Sequence, residues 1–240
     1  MKMPYLNQNP APTVTLMNKN ISMLHLWRSI SPAFPIGAYA YSQGLESATE
    51  NQWIHDEESA QLWIRGLLQY SVGRLDIPVL LRLARAWQNK DKTQLQYWNN
   101  FLLASRESSE LLAEDQHLGK ALNRLLRDSE VPLLEILDFE HHPSFALMYS
   151  LFATHWQIPE TDAVYGYLWT WCENQVAAAI KLIPLGQTAG QRILSQLINE
   201  IPLVVEFAQT LADDDIGATL PGLGICSAMH ETQYSRLFRS

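Results

Sequence analysis

Apolar side chains in this chain recur every three or four residues, and no stretch alternates apolar and polar residues long enough to make a strand. Ala60, Trp63, Ile64, Leu67, Leu68 and Ser71 follow a helical period, and Ile77, Leu80, Leu81, Ala84 and Trp87 resume it after a break near Gly73. Pro78 falls in the first turn of that second helix, where its missing donor does no harm. The spacing predicts further helices over about 93–105, carrying Leu95, Trp98, Leu102 and Leu103, and about 110–127, carrying Leu111, Leu118, Ala121, Leu122 and Leu125. Residues 128–143 break the pattern and suit one helical turn or a packed loop. Helices resume at 144–155, and again after Pro159, where Val164, Leu168, Trp171 and Ile180 mark a long one. Pro202 reads as the opening of a further short helix ending near Leu211, and Asp213–Asp215 as a solvated acidic turn. The expected fold is all-α: a single globular domain of about ten helices around one core. A length of 240 residues with 47% hydrophobic and 18% charged content suffices for such a core.

The two ends read differently. Residues 1–20 hold Pro4, Pro10 and Pro12 among Asn, Gln and Thr, which suggests a loose arm, followed by a short helix with Leu24, Trp27 and Ile30 as its apolar side. The domain proper is then 21–224, after a Gly- and Pro-rich run from Gly217 to Gly224, and 225–240 is a tail. Fixing a backbone costs roughly 1–2 kcal/mol per residue. Tyr234, Leu237 and Phe238 return only about 1.5–3 kcal/mol each on full burial. The tail is therefore expected to be flexible when free and ordered only against a partner.

A proline-broken helical hairpin spans 177–194. Pro184 ends the first helix. Gly186 and Gly190, four residues apart, give the next helix a bare flank where another backbone can approach, and Gln187 and Gln191 set an amide stripe beside it. The same spacing also suits a kinked buried hairpin whose glycines permit helix packing. A second irregular stretch, 31–46, reads Ser-Pro-Ala-Phe-Pro-Ile-Gly-Ala-Tyr-Ala-Tyr-Ser-Gln-Gly-Leu-Glu. Its prolines and Gly37 forbid a regular helix at the start. Phe34, Tyr39 and Tyr41 suit a loop pinned to the core or an exposed recognition loop, and Ser42 could cap the short helix carrying Leu45 and Glu46.

Signs of chemistry are sparse. The formal net charge of −8, without a basic stripe, argues against nucleic-acid binding. The only two cysteines, Cys172 and Cys226, form no Cys-x-x-Cys pair, and suit a reducing cytoplasm better than a disulfide or zinc framework. No secretory signal and no run approaching a membrane span are visible. The seven histidines make no metal-binding helix pair; His141 and His142 are adjacent on a loop. No nucleophile elbow or phosphate-cradling loop occurs, and the carboxylates are expected to spread over helix faces without a clustered pair near the aromatic loops. The chain reads as a non-enzyme without a cofactor.

Three of these stretches carry a family resemblance. Lys181-Leu-Ile-Pro-Leu-Gly-Gln-Thr-Ala-Gly-Gln, the Ser-Pro-x-x-Pro-x-Gly and Tyr-Ser-x-Gly-Leu-Glu pair of the first loop, and the closing Glu231-Thr-Gln-Tyr-Ser-Arg-Leu-Phe-Arg-Ser240 resemble the urease accessory protein UreF family. Asp115 to Leu122 is loosely like the family's central Met-Gly segment, with Leu118 in the methionine's place. The resemblance implies an all-α, cytoplasmic homodimer that binds UreD (UreH in some systems) and recruits the GTPase UreG for nickel insertion into apo-urease. It makes Lys181, Gly186, Gln187, Gln191, Tyr234, Arg236, Phe238 and Arg239 the candidate partner-binding residues. Lys181, Gln187, Arg236 and Arg239 are also of the types that assist phosphoryl transfer. Two other readings are a nickel chaperone acting alone through His141, His142 or Cys226, and a helical small-ligand domain lined by the eight tryptophans.

Overall fold

Side-chain caps set four of the helix starts in the computed structural model, which describes residues 14–136, 142–217 and 220–240, with side chains from residue 19 onward. Asp56 accepts from the Ser59 N–H at 2.9 Å, and the Ser59 hydroxyl accepts in return from the Asp56 N–H, a reciprocal pair that opens α3, Glu57–Leu67. Asp91 caps α5, Lys92–Ala104; Ser108 caps α6, Ser109–Asp128; Ser144 caps α7, Phe145–His155. The other helices are α1, Val14–Ile30; α2, Leu45–Glu50; α4, Asp76–Gln88; α8, Glu160–Leu182; α9, Gln187–Thr210; and α10, Pro221–Glu231. Among the described residues there are ten α-helices and no strand, so the all-α expectation holds. α4 packs on α5, α7, α8 and α9; α6 lies along α7; α8 also carries α1 and α2. Where α6 crosses the start of α7, Gly119 faces the Pro143 carbonyl, and a Cβ there would run into backbone.

Four expectations change. α1 begins at Val14, so residues 14–20 are helical rather than part of an arm; residues 1–13 lie outside the described part. Leu24 and Trp27 are not its inward side: they are 56% and 55% exposed, and Leu26 packs on the core instead. Gly166 on α8 makes room for Leu26.

Third, Pro202 starts no new helix but lies inside α9. The buried series Ile193, Leu194, Leu197, Ile201, Val204, Val205 and Ala208 runs through it without a break. Pro202 and Ile198 face solvent, so water can serve the carbonyl that loses its partner. Pro202→Ala should then raise stability by about 1–3 kcal/mol, because an interior proline costs about 3 kcal/mol against alanine and the surface side of the helix recovers part of that. Urea unfolding measures this; an unchanged or lower midpoint would show that the helix is relaxed around the ring.

Fourth, α10 starts with Pro221 as a first-turn proline and continues to Glu231, so residues 225–231 are helical and belong to the body. Gly222 and Gly224 sit inside that helix where it passes Trp63 and Glu107. The uncertain segment after α6 is a 3₁₀ turn over Pro132–Ile136; Leu137, Phe139 and His141 lie outside the described residues.

A carboxylate cradle for the C-terminal strap

Residues 232–240 leave α10 and run back across the first aromatic loop. The Arg239 N–H donates to the Ala40 carbonyl at 2.9 Å, and the Ser42 N–H donates to the Ser240 carbonyl at 2.7 Å. Glu46, on α2, is buried, and its two oxygens accept separately: Oε1 from the Leu237 N–H at 2.7 Å, Oε2 from the Phe238 N–H at 2.8 Å. Hydrogen bonds to an ionised acceptor are the stronger kind. The Ser42 hydroxyl accepts from the Glu46 N–H and donates to the Ser240 carbonyl, which joins the start of α2 to the end of the chain. Gly44, and not Ser42, occupies the N-cap position of α2, but the Ser42 hydroxyl still serves an N–H of its first turn.

Behind the strap, fully buried His230 bridges two carboxylates, with Nδ1 2.7 Å from Glu110 Oε2 and Nε2 3.2 Å from Glu46 Oε2. Arg236 completes the row by donating from Nη1 to Glu110 Oε1 at 2.8 Å. The Ser240 hydroxyl donates to Glu114 Oε2, and the Gln43 amide donates to Glu114 Oε1, both at 2.8 Å. Trp171 Nε1 donates in turn to Gln43 Oε1 at 2.8 Å.

The tail therefore corrects the sequence reading: it lies seated on its own body. That reading set backbone entropy against apolar burial alone. It left out the main-chain hydrogen bonds to loop and carboxylates, each of which is worth about 1.5–3 kcal/mol when the acceptor is charged. The expectation of scattered carboxylates falls with it. Glu46, Glu110 and Glu114 converge under the aromatic loop, and Asp76 and Asp115 stand just behind.

Those two aspartates enclose a half-buried arginine. Arg106 donates from Nη1 and Nη2 to Asp76 at 3.2 and 2.6 Å, and from Nε to Asp115 Oδ2 at 2.9 Å. The Tyr167 hydroxyl donates to Asp76, and Asp115 also accepts the Phe145 N–H that opens α7. Burial works against the Arg106 charge, but Asp115 and Asp76 more than offset it and hold the guanidinium well above its usual range. Burial pushes Glu114 up to about 7, against the pull of Gln43, Ser240 and Arg106. Because the folded-state value lies above the unfolded one, the native state holds the extra proton. Its contribution is complete below about pH 4.5 and is lost as pH rises through about 7. The stability of the wild-type chain should decline across that window by on the order of 3 kcal/mol more than that of Glu114→Gln. Urea titrations at stepped pH test this, and parallel slopes in the two proteins would refute it.

The predicted partner-binding residues divide into two groups. Lys181, at the end of α8, holds its Nζ 5.5 Å from the centre of the Phe238 ring, so the hairpin and the tail meet there. Phe238 is buried at 7%, Leu237 is 65% exposed, and Tyr234 is fully exposed. Arg236 is spent on Glu110, while the Arg239 side chain reaches the Tyr41 hydroxyl. Gly186 is the residue before α9, with open space around it. Gly190 is buried against Ile180 and Val176 of α8, so the bare flank serves packing within the chain. Gln187 and Gln191 point to solvent from the opening turns of α9. Glu46, Glu110, Glu114 and His230 were missed. Their signal was a carboxylate placed on an apolar face: Glu114 and Asp115 share the buried side of α6 with Leu111, Leu118 and Leu122.

Other chemistry gains little. No group of three His, Cys, Asp or Glu able to hold a metal occurs among the described residues. Cys226 is buried and its thiol is pushed up to about 11 by burial; His142 is described only as a loop residue whose carbonyl accepts from Asn99. No described helix is long and apolar enough to cross a membrane.

Comparison with known proteins matches the same features. The UreF family profile matches residues 54–198. The urease accessory protein UreF of Alkalilimnicola ehrlichii is 45% identical over 228 residues, covering 94% of this chain and 99% of that protein. Those of Teredinibacter turnerae and Hahella chejuensis are each 46% identical, covering 92% of this chain and 100% and 99% of the relatives. With a family match across its central helices and relatives of this identity over nearly its whole length, the chain belongs to the UreF family of urease accessory proteins.

Proposed function

We propose that this chain performs no reaction of its own and acts as a docking body in urease maturation. In this reading the strap and its surroundings bind UreD or UreH, and that complex recruits the GTPase UreG, so that nickel reaches apo-urease. The observation that supports it most is the seating of the strap. Glu46 accepts two of its backbone N–H groups, and Glu110 below takes the strap's Arg236, while Tyr234 and Leu237 stay exposed. Exposed aromatics on a backbone that is already fixed give contact area without a large ordering cost at binding. Lys181 joins the same surface through Phe238. Gln187 and Gln191 offer a second, amide-rich surface for UreG, which they would position by contact without entering its nucleotide site. The chain would act as a homodimer in the cytoplasm, and the regulation of the GTPase would follow from where UreG is held.

Size-exclusion chromatography of mixtures with UreD and UreG tests the proposal. Removing residues 232–240 should abolish co-elution with UreD. Lys181→Ala, Arg236→Ala and Arg239→Ala should weaken it, and Gln187→Ala with Gln191→Ala should spare UreD but lose UreG. Full complexes and normal urease activation in all of these variants would refute it.

A further inference from the structure

Behind the strap lies a cavity of about 90 Å³, at the junction of the first loop with α4, α6, α8 and α10. Its walls combine apolar side chains with Asp76, Asp115, Glu114 and Arg106. The charged groups of the wall, and Gln43, Tyr167 and Trp171 beside them, are hydrogen-bonded, but one buried acceptor is not. Gln175 on α8 is 2% exposed, lines the cavity, and has no hydrogen-bond partner for its Oε1. A buried acceptor left unpaired costs about 1–3 kcal/mol, so its retention calls for a donor from outside the chain.

The electrostatics define that donor. Arg106 balances one of its two aspartates, so the wall is left with a net negative charge even when Glu114 is protonated, and more when it is ionised. No lysine lines it. The acceptors that remain are Gln175 Oε1, the free lone pairs of Glu114 and Asp76, and the Thr170 hydroxyl, whose own proton goes to the Gly166 carbonyl. The space suits roughly half a dozen waters or one ligand of a few heavy atoms. Gln43, Thr170 and Asn174 border it and are only half-buried, which leaves a way in.

We propose that this cavity is a binding site for a small N–H-bearing cation of the ammonium or amidinium class, held by Gln175 Oε1 and the Glu114 and Asp76 carboxylates. The positive charge offsets the wall, and the N–H groups supply the missing donors. The site goes beyond the docking reading, since it concerns a ligand within the body rather than a partner on its surface. Glu114 belongs to both, because it also accepts from Ser240 of the strap.

Titration of the full chain by calorimetry, at constant ionic strength, tests the proposal with three probes. Methylammonium and methylguanidinium separate the two ligand classes. Tetramethylammonium carries the same charge without an N–H. The expected result is saturable one-to-one binding of at least one N–H probe, with tetramethylammonium weaker by about tenfold or more. In Gln175→Leu, which keeps the volume and removes the acceptor, the N–H probe should also weaken by about tenfold. The probe comparison needs only the wild-type chain, so a failure of the variant to fold leaves the test intact. Absence of saturable binding by both N–H probes, equal binding of tetramethylammonium, or undiminished binding to folded Gln175→Leu would each overturn the proposal.

Discussion

Arg106→Leu is expected to lower the stability of the chain by about 3–5 kcal/mol, a large part of what a domain of this kind has. The side chain is largely shielded, at 16% exposure, and is the counter-charge for Asp76 at the start of α4 and Asp115 in α6. Removing it leaves two carboxylates next to each other, with the Tyr167 hydroxyl still donating to Asp76 and the Phe145 N–H to Asp115. One must then take up a proton, and the unfolding midpoint should rise as pH falls, opposite to the usual effect of acid. The arrangement itself is not a large source of stability, since a buried ion triad loses on desolvation much of what it gains in attraction. Combining Arg106→Leu with Asp76→Asn and Asp115→Asn should therefore recover more than half of the loss. Urea unfolding of the single and triple variants decides it. A loss below about 1 kcal/mol in the single variant would mean that water reaches the site and screens the pair.

How much of this could be read from the chain depends on what kind of contact built each part. The helices from 57 onward follow from apolar period and capping residues, both local, and Ser108, Asp91 and Ser144 cap where the spacing sets the boundaries. Pro202 misled because the penalty of a proline depends on which side of the helix it falls, and only the packing of α9 fixes that side. Leu24 and Trp27 misled for the same reason: a short amphipathic run does not reveal which face its neighbour covers. The strap was illegible in a deeper sense. Glu46 and Phe238 are 192 residues apart, and neither says that it will meet the other. The motifs that hold them, Tyr-Ser-x-Gly-Leu-Glu and the closing ten residues, were nevertheless the stretches that carried the family resemblance. Pattern marked the site, while its geometry came from pairing across the whole chain.

Glu46→Gln is the sharpest test of the strap, because it changes charge and donor type at nearly constant volume. The native carboxylate presents an acceptor to each of two consecutive backbone N–H groups, and Oε2 also meets His230. A glutamine can satisfy only one of those N–H groups. Its amide nitrogen must face the other donor, or turn and face the first. Charge-assisted bonds of about 1.5–3 kcal/mol each are thereby lost or weakened, and His230 keeps only Glu110. Amide exchange at Leu237 and Phe238 should accelerate by about 100-fold or more, the equivalent of roughly 3 kcal/mol. The helices beyond α2 and α10 should keep their protection, because the buried series of α4, α7 and α8 does not depend on the strap. If the strap docks UreD as proposed, that binding should fall in step with the fraction of seated strap, since an undocked tail must be ordered again at the moment of binding. Glu114→Gln makes the internal comparison: it also touches the strap, through Ser240, but an amide there can still accept one hydroxyl proton. Its effect on exchange at Leu237 should be several-fold smaller. If Glu46→Gln left exchange at Leu237 and Phe238 unchanged, the strap would be held by Phe238 burial and its bonds to Ala40, Ser42, Glu110 and Glu114, and Glu46 would have no part in presenting Tyr234 and Leu237.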